Sequence, residues 1–240
     1  MADNRLAYGL AKKHGIKTDG MTPKEVWDAL KKAGISGVQN EKKSGSTNGT
    51  SAKSGSIRPG EGQKAEWKSE KTLGEKAANT IKSVESDIRY LNYEKGIIVS
   101  KNGDVIFEAD GSESEVFMPP QLLKDAIFTH NHPHGTIFSA DDIKGFLDGQ
   151  LYQLRVTTRD DKTYVLSRAG DFVKPSFYND YKNVGRRGSA QEWEVQRKYE
   201  EYIGLYDDYL AFNLAVSDVR EDWLKENSEK YNVKFEVQYG

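Results

Sequence analysis

The chain has no cysteine, and its 240 residues include only six prolines, three methionines and four histidines. The missing cysteines exclude disulfides and every thiolate metal site, which leaves imidazole and carboxylate as its strong ligands. No run approaches the ~18 apolar residues that span a membrane. Neither sign of charge dominates: 35 Lys and Arg stand against 37 Asp and Glu, a formal net charge of −2. That balance gives no large basic footprint, so no nucleic-acid partner is expected. The first residues are polar and lack the apolar core of a signal peptide, which predicts synthesis and residence in the cytoplasm. The length allows one to two domains with a real core.

What the chain does have is a concentration of imidazole. Three of the four histidines fall in one stretch, Ile127-Phe128-Thr129-His130-Asn131-His132-Pro133-His134-Gly135. The residues ahead of them are apolar and β-prone, which predicts a short buried strand. Residues two apart on a strand share a face, so His130 and His132 project side by side. Pro133 and Gly135 end the strand and begin a loop. Ser139-Ala140-Asp141-Asp142 then opens a helix whose apolar residues Ile143, Phe146 and Leu147 recur at i, i+3 and i+4. Two imidazoles and one carboxylate from the first turn of that helix make an N,N,O set, which suits zinc with a fourth position open to water. The plainer reading is two histidines satisfied by hydrogen bonds at a strand end, followed by a Ser-x-x-Asp capping arrangement. Cap and ligand are compatible, because a cap fixes the helix start that holds the carboxylate. His134 lies past the turn and is left out of the set. His14 reads as an exposed helix-end residue.

Around this stretch the expected fold class is α/β (α+β), a mixed sheet with hairpins flanked by helices, plus a small N-terminal helical unit. Residues 1–34 form that unit. Its second helix has a full start signal in Thr22, Pro23 and Glu25, and an apolar face of Val26, Trp27 and Leu30. Residues 35–63 read as a flexible linker, since from Ser44 to Ser56 all but Ala52 and Lys53 are Ser, Gly, Thr or Asn. Residues 64–240 form the metal-bearing domain. A charged helical pattern runs from Lys64 to about Leu91. Two strands, Gly96 to Ser100 and Val105 to Ala109, then flank the hairpin signal Asn102-Gly103. A short helix follows Pro119-Pro120, and Tyr152 to Arg159 pairs with Lys162 to Arg168 around Asp160-Asp161. The C-terminal extension predicts two helices and a final edge strand, with Phe212, Val216, Val219 and Trp223 as a core-facing stripe.

His-x-His, a loop, then Ser-x-x-Asp resembles the signature of the JAMM (JAB/MPN) metallopeptidases, and His-Asn-His-Pro is close to the RadC-like and phage-encoded versions. The loop from Pro133 to Phe138 is one residue shorter than is usual in the family. The resemblance covers roughly Ile88 to Phe172 and implies a JAB/MPN-like fold with zinc as cofactor. It implies His130, His132 and Asp142 as metal ligands, with Asp141 the substitute for Asp142. It also implies that Ser139 stabilises the oxyanion and that an upstream strand supplies a glutamate base. Glu94, just ahead of Gly96-Ile97-Ile98-Val99, is the candidate, and Glu108 on the second strand of the hairpin is the runner-up. Separately, Gly-Ile-x-Thr-x-Gly-Met-Thr-Pro-Lys-Glu-Val-Trp in the N-terminal unit is similar to an element of phage head-morphogenesis (minor capsid) proteins.

The function these readings imply is a zinc-dependent peptidase or isopeptidase that hydrolyses an amide bond through a metal-activated water. The expected partners are a protein or peptide substrate and, through the N-terminal unit, phage structural proteins. The expected location is the host cytoplasm or the virion. A non-catalytic binding or assembly module and a nuclease-type phage effector are the alternatives. The string His130-Asn131-His132 is not itself an HNH nuclease signature, which names residues spread over a ββα-metal unit.

Overall fold

The computed structural model describes residues 4–33, 35 and 73–240, so the Ser/Gly-rich stretch and the charged segment from Lys64 to residue 72 lie outside the described residues. Two helices lead the chain, α1 (Asn4–Lys13) and α2 (Pro23–Lys32). At the start of α2, Glu25 N–H donates to Thr22 Oγ1 at 3.4 Å and Thr22 N–H donates to Glu25 Oε2 at 2.7 Å. This reciprocal box satisfies two amides that the helix leaves unpaired. Ala7, Ala11, Val26 and Leu30 are buried against one another, and Ile35 packs on them. The pair also meets the rest of the chain. Gly20 N–H donates to the Tyr90 carbonyl at 3.1 Å, Arg159 stands 5.4 Å over the Tyr8 ring, and Lys13 Nζ donates to the Gly204 carbonyl at 2.9 Å.

Next come α3 (Glu75–Ile88), the hairpin of β1 (Lys95–Val99) and β2 (Val105–Asp110), then β3 (Ile127–His132) and α4 (Ala140–Asp148). A second hairpin, β4 (Gln153–Thr158) and β5 (Lys162–Arg168), precedes α5 (Phe177–Asn183), α6 (Glu192–Tyr202), α7 (Asp208–Asn227) and β6 (Val233–Tyr239). The strands form one six-stranded sheet in the order β2-β1-β3-β4-β5-β6. All neighbours are antiparallel except β3 and β4, which run parallel. Parallel neighbours cannot be joined by a tight turn, and α4 is the crossover that joins them. The α+β expectation therefore holds, with a mixed sheet between helices.

β3 and β4 occupy the middle of the sheet and are buried along their whole length. On one face α3 lays Ile81 and Ile88 over Ile97, Val99 and Ile127. On the other, Phe146 of α4, Phe177 and Tyr181 of α5, and Leu224 of α7 cover Ile98, Phe128, Leu154 and Val156. Polar side chains on strands buried this way must find partners inside the protein. Under α3, Glu85 Oε1 accepts from Arg155 Nε at 2.5 Å and from Thr129 Oγ1 at 3.0 Å, and Arg155 also donates to Gln153 and Gln238.

The C-terminal part differs from its sequence reading in two respects. It holds three helices before β6, not two, because the short α5 is a separate element ahead of Gly185. The predicted apolar stripe holds in part: Val219 is buried and Val216 and Trp223 pack on the clusters, but Phe212 is 48% exposed, while Leu210, Leu214, Ser217, Glu221 and Leu224 are also buried. α7 is covered on two sides, by the main core through Leu224 and by a second cluster with α6 through Leu210, Leu214 and Val219. Its buried Asp218 and Glu221 accept hydrogen bonds from Tyr202 at 2.7 Å and from Tyr164 at 3.0 Å. A helix with polar anchors on buried faces shows no clean apolar period. β6 does close one edge of the sheet, as expected.

Breaking the Glu85–Arg155 pair from one side leaves a buried charge without its counter-ion. Glu85→Ala should lower stability by about 3–5 kcal/mol in urea unfolding, whereas Glu85→Leu combined with Arg155→Met should recover most of that loss. Equal losses in the single and double variants would show that the ion pair is not the element that matters.

Candidate metal centre

The period of two in β3 puts Phe128, His130 and His132 on the face turned away from α3. Their rings meet: Phe128 stacks on His130 at 4.9 Å between centroids, and the two imidazoles are 4.8 Å apart. The facing residue on β1 is Gly96, where a Cβ would stand 2.9 Å from the Phe128 ring. Only glycine leaves room there for the ring under His130. Since Gly96 pairs with His130 in an antiparallel ladder, Glu94 falls opposite His132 and on its face. Asp142 arrives from the other side. It is the third residue of α4, its N–H donates to Ser139 Oγ at 3.0 Å, and its Oδ2 accepts from Ser139 N–H at 2.6 Å. The capping reading is thus realised in full, and the cap aims the second carboxylate oxygen at the histidines.

The donor atoms converge. His130 Nε2 lies 3.0 Å from His132 Nε2 and 3.2 Å from Asp142 Oδ1, and His132 Nε2 lies 3.5 Å from Asp142 Oδ2. Glu94 Oε1 stands 3.7 Å from His132 Nε2. Glu94, His130 and His132 form a buried group able to hold a metal ion, with one ligand atom each inside 4.8 Å. Donors bound at about 2.0–2.1 Å to one tetrahedral centre stand about 3.3 Å apart. The imidazole nitrogens stand near that spacing, while Asp142 meets His130 through Oδ1 and His132 through Oδ2, the oxygen that also takes the Ser139 N–H. Glu94 is set slightly farther out.

His132 Nδ1 lies 2.9 Å from the Thr136 carbonyl. A carbonyl partner assigns the proton to Nδ1 and leaves the Nε2 lone pair facing the cluster. Burial, helped by the neighbouring His130, pushes His132 down to about 4, so it is neutral near pH 7 and able to ligate. Burial also works against charge on His130, but the Asp142 carboxylate outweighs it and holds His130 above its ordinary range. Asp142 is buried as well, yet His130 and the Ser139 amide keep it well below the usual carboxylate range. Burial pushes Glu94 up to about 7; His130 opposes this, and the Asp142 and Glu115 charges add to it.

The remaining candidates separate cleanly. Asp141 is exposed, so it does not take the place of Asp142. Glu108 pairs with Ile97, on the α3 face, and is bound to Lys95 at 3.2 Å, away from the histidines. His134 and His14 are exposed. Ser139 is exposed at the helix start and lines a groove of about 1210 Å³ that also exposes Glu94, His132 and Asp142.

The sequence reading missed Asn131. Pointing to the opposite face from the histidines, its Oδ1 accepts from Lys95 N–H at 2.7 Å and its Nδ2 donates to the Tyr93 carbonyl at 2.8 Å. It clamps the backbone on both sides of Glu94. A fully buried Asn between two histidines was the available signal, since a buried amide must be paired. Thr136 was missed too, and a loop residue gives no sign of which ring it will orient. No protein-family model, curated protein or solved structure matches the chain. Among the described residues no helix is long and apolar enough to cross a membrane.

A carboxyl whose folded-state pKa is raised, here from 4.5 to about 7, takes up a proton on folding. Its stabilising contribution is complete below the unfolded value and is lost as pH rises through the folded one. In chelator-treated protein, the stability of Glu94→Gln relative to wild type should therefore climb by on the order of 1–3 kcal/mol between pH 5 and pH 8. A pH-independent difference in urea unfolding would show that Glu94 is not held protonated.

Proposed function

We propose that this chain is a zinc-dependent hydrolase of the JAMM type, a peptidase or isopeptidase that cleaves an amide bond in a protein or peptide. The observation that carries the reading is the convergence of His130, His132 and Asp142 at 3.0–3.5 Å, with a second carboxylate, Glu94, 3.7 Å from His132. Three protein donors of this kind leave a fourth position for chemistry, the arrangement of catalytic rather than structural zinc sites.

Zinc held by His130, His132 and Asp142 would supply a Lewis acid and a water acidified towards pKa ~7. Glu94 is the base. It takes a proton from the attacking water and returns it to the leaving amine. Asn131 positions Glu94 through the backbone on either side of it. Ser139 Oγ accepts the Asp142 N–H, which leaves its own hydroxyl hydrogen free to donate to the oxyanion. The N-terminal helices, similar to an element of phage head-morphogenesis proteins, are the proposed docking unit for phage structural proteins. On this reading the enzyme would work in the host cytoplasm or on the virion.

Metal content and cleavage of fluorogenic peptide and isopeptide pools test the reading together. Glu94→Gln should keep one metal ion per chain and lose about 10²-fold or more of the hydrolysis. His132→Ala should lose both. A wild-type protein that retains metal but cleaves nothing would favour the binding-module alternative, and full activity in Glu94→Gln would mean that the base lies elsewhere.

A further inference from the structure

Three Lys or Arg side chains line the groove over the histidines: Lys12, Lys144 and Arg220. Two are neutralised in place. Lys12 pairs with Asp207 at 3.5 Å and Lys144 with Asp148 one helical turn on. Arg220 has no carboxylate partner among the described residues. Its guanidinium is held 4.9 Å over the Tyr181 ring, and its Nε is buried without a hydrogen-bond acceptor. A half-buried guanidinium that lines the groove with no carboxylate to neutralise it is a seat for an anion, and its planar fork matches a carboxylate.

Its setting ties Arg220 to the histidine site. One turn earlier on α7, Ser217 Oγ accepts the Ile137 N–H at 2.7 Å, and beneath it Tyr181 OH donates to the Phe138 carbonyl at 2.6 Å. Ile137 and Phe138 lead directly into Ser139, the cap that holds Asp142. Carboxylates dominate the rest of the lining, with Asp110, Glu113, Glu115 and Asp141 among them, and of its three Lys or Arg side chains Arg220 is the one that no carboxylate neutralises.

We propose that Arg220 is a carboxylate-binding residue that anchors an anionic end or side chain of a peptide in the groove. Its part in substrate choice rests on the peptidase reading, whereas the carboxylate site does not. The Tyr181 ring under the guanidinium is itself fixed by its bond to the Phe138 carbonyl, so binding requires little rearrangement.

The Nε–H of a buried arginine can be followed by ¹H–¹⁵N NMR in the full chain, with and without chelator. N-acetyl-glycylglycine should shift the Arg220 Nε–H saturably in both conditions, and its C-terminal amide should not. N-acetyl-aspartyl-glycinamide separates a side-chain carboxylate from a chain end. It shifts the same resonance if any carboxylate suffices and leaves it unmoved if the terminus is read. The variants lack that resonance and are followed by isothermal titration calorimetry beside the wild type: Arg220→Gln should weaken the acid about 10-fold or more, the difference expected for losing a charge-assisted pair. If that variant does not fold, Arg220→Lys keeps the charge without the fork and should bind the acid more weakly than wild type. Equal binding of acid and amide, a shift that disappears with chelator, or undiminished binding by the variants would overturn the proposal. The comparison needs no turnover, so the outcome for hydrolysis in Glu94→Gln leaves it standing, and its own failure leaves hydrolysis standing.

Discussion

Everything at the site depends on the two-residue alternation of one buried strand. β3 has covered faces on both sides, so each of its residues must suit one of two very different neighbourhoods. Phe128, His130 and His132 go to the groove side, while Thr129 and Asn131 go beneath α3. The second set is not filler. Thr129 donates to the Glu85 carboxylate that neutralises Arg155, and Asn131 fastens the backbone around Glu94. A slip of one residue in register would exchange the two sets and put imidazoles against Ile81 and Ile88. Register is therefore specified by chemistry on both faces of the sheet.

The same strand explains why so much of the centre could be read in advance. His130 and His132 share a face because strands alternate, and Asp142 reaches them because Ser139 and Asp142 form a cap. Both are local rules, visible within a few residues. Glu94 could be named only through a family resemblance, since nothing within ten residues of it shows that β1 will lie beside β3. The β1–β3 ladder is what sets it opposite His132. Arg220 and Tyr181 were illegible for a stronger reason, as α5 and α7 come together only in the tertiary fold. On α7 the pattern was right for Val216, Val219 and Trp223 but took in exposed Phe212, and buried Ser217, Asp218 and Glu221 hid the rest of the covered surface.

Four ionisable groups crowd the strand end, and none of them adds packing that leucine would not supply better. Burying carboxylates and imidazoles is costly unless they neutralise one another or a cation. Here Glu94 and Asp142 are shifted in opposite directions. One lies against an imidazole that keeps it ionised, and the other is pushed towards its neutral form by burial. Environments that drive paired acids apart are typical of sites that move protons.

α7 belongs to two interiors at once. One side packs with α6 through Leu210, Leu214 and Val219, and the other reaches the main core through Leu224 while carrying Ser217 and Arg220 to the groove. A single backbone serves both, so the free energies of changes made in the two places will not simply sum. A methylene removed beneath α6 shifts the same helix that spaces Ser217 from Ile137. The groove wall inherits the packing quality of the cluster behind it, which it meets at Leu210 and Val216, and substitutions under α6 become modifiers of what the groove can hold.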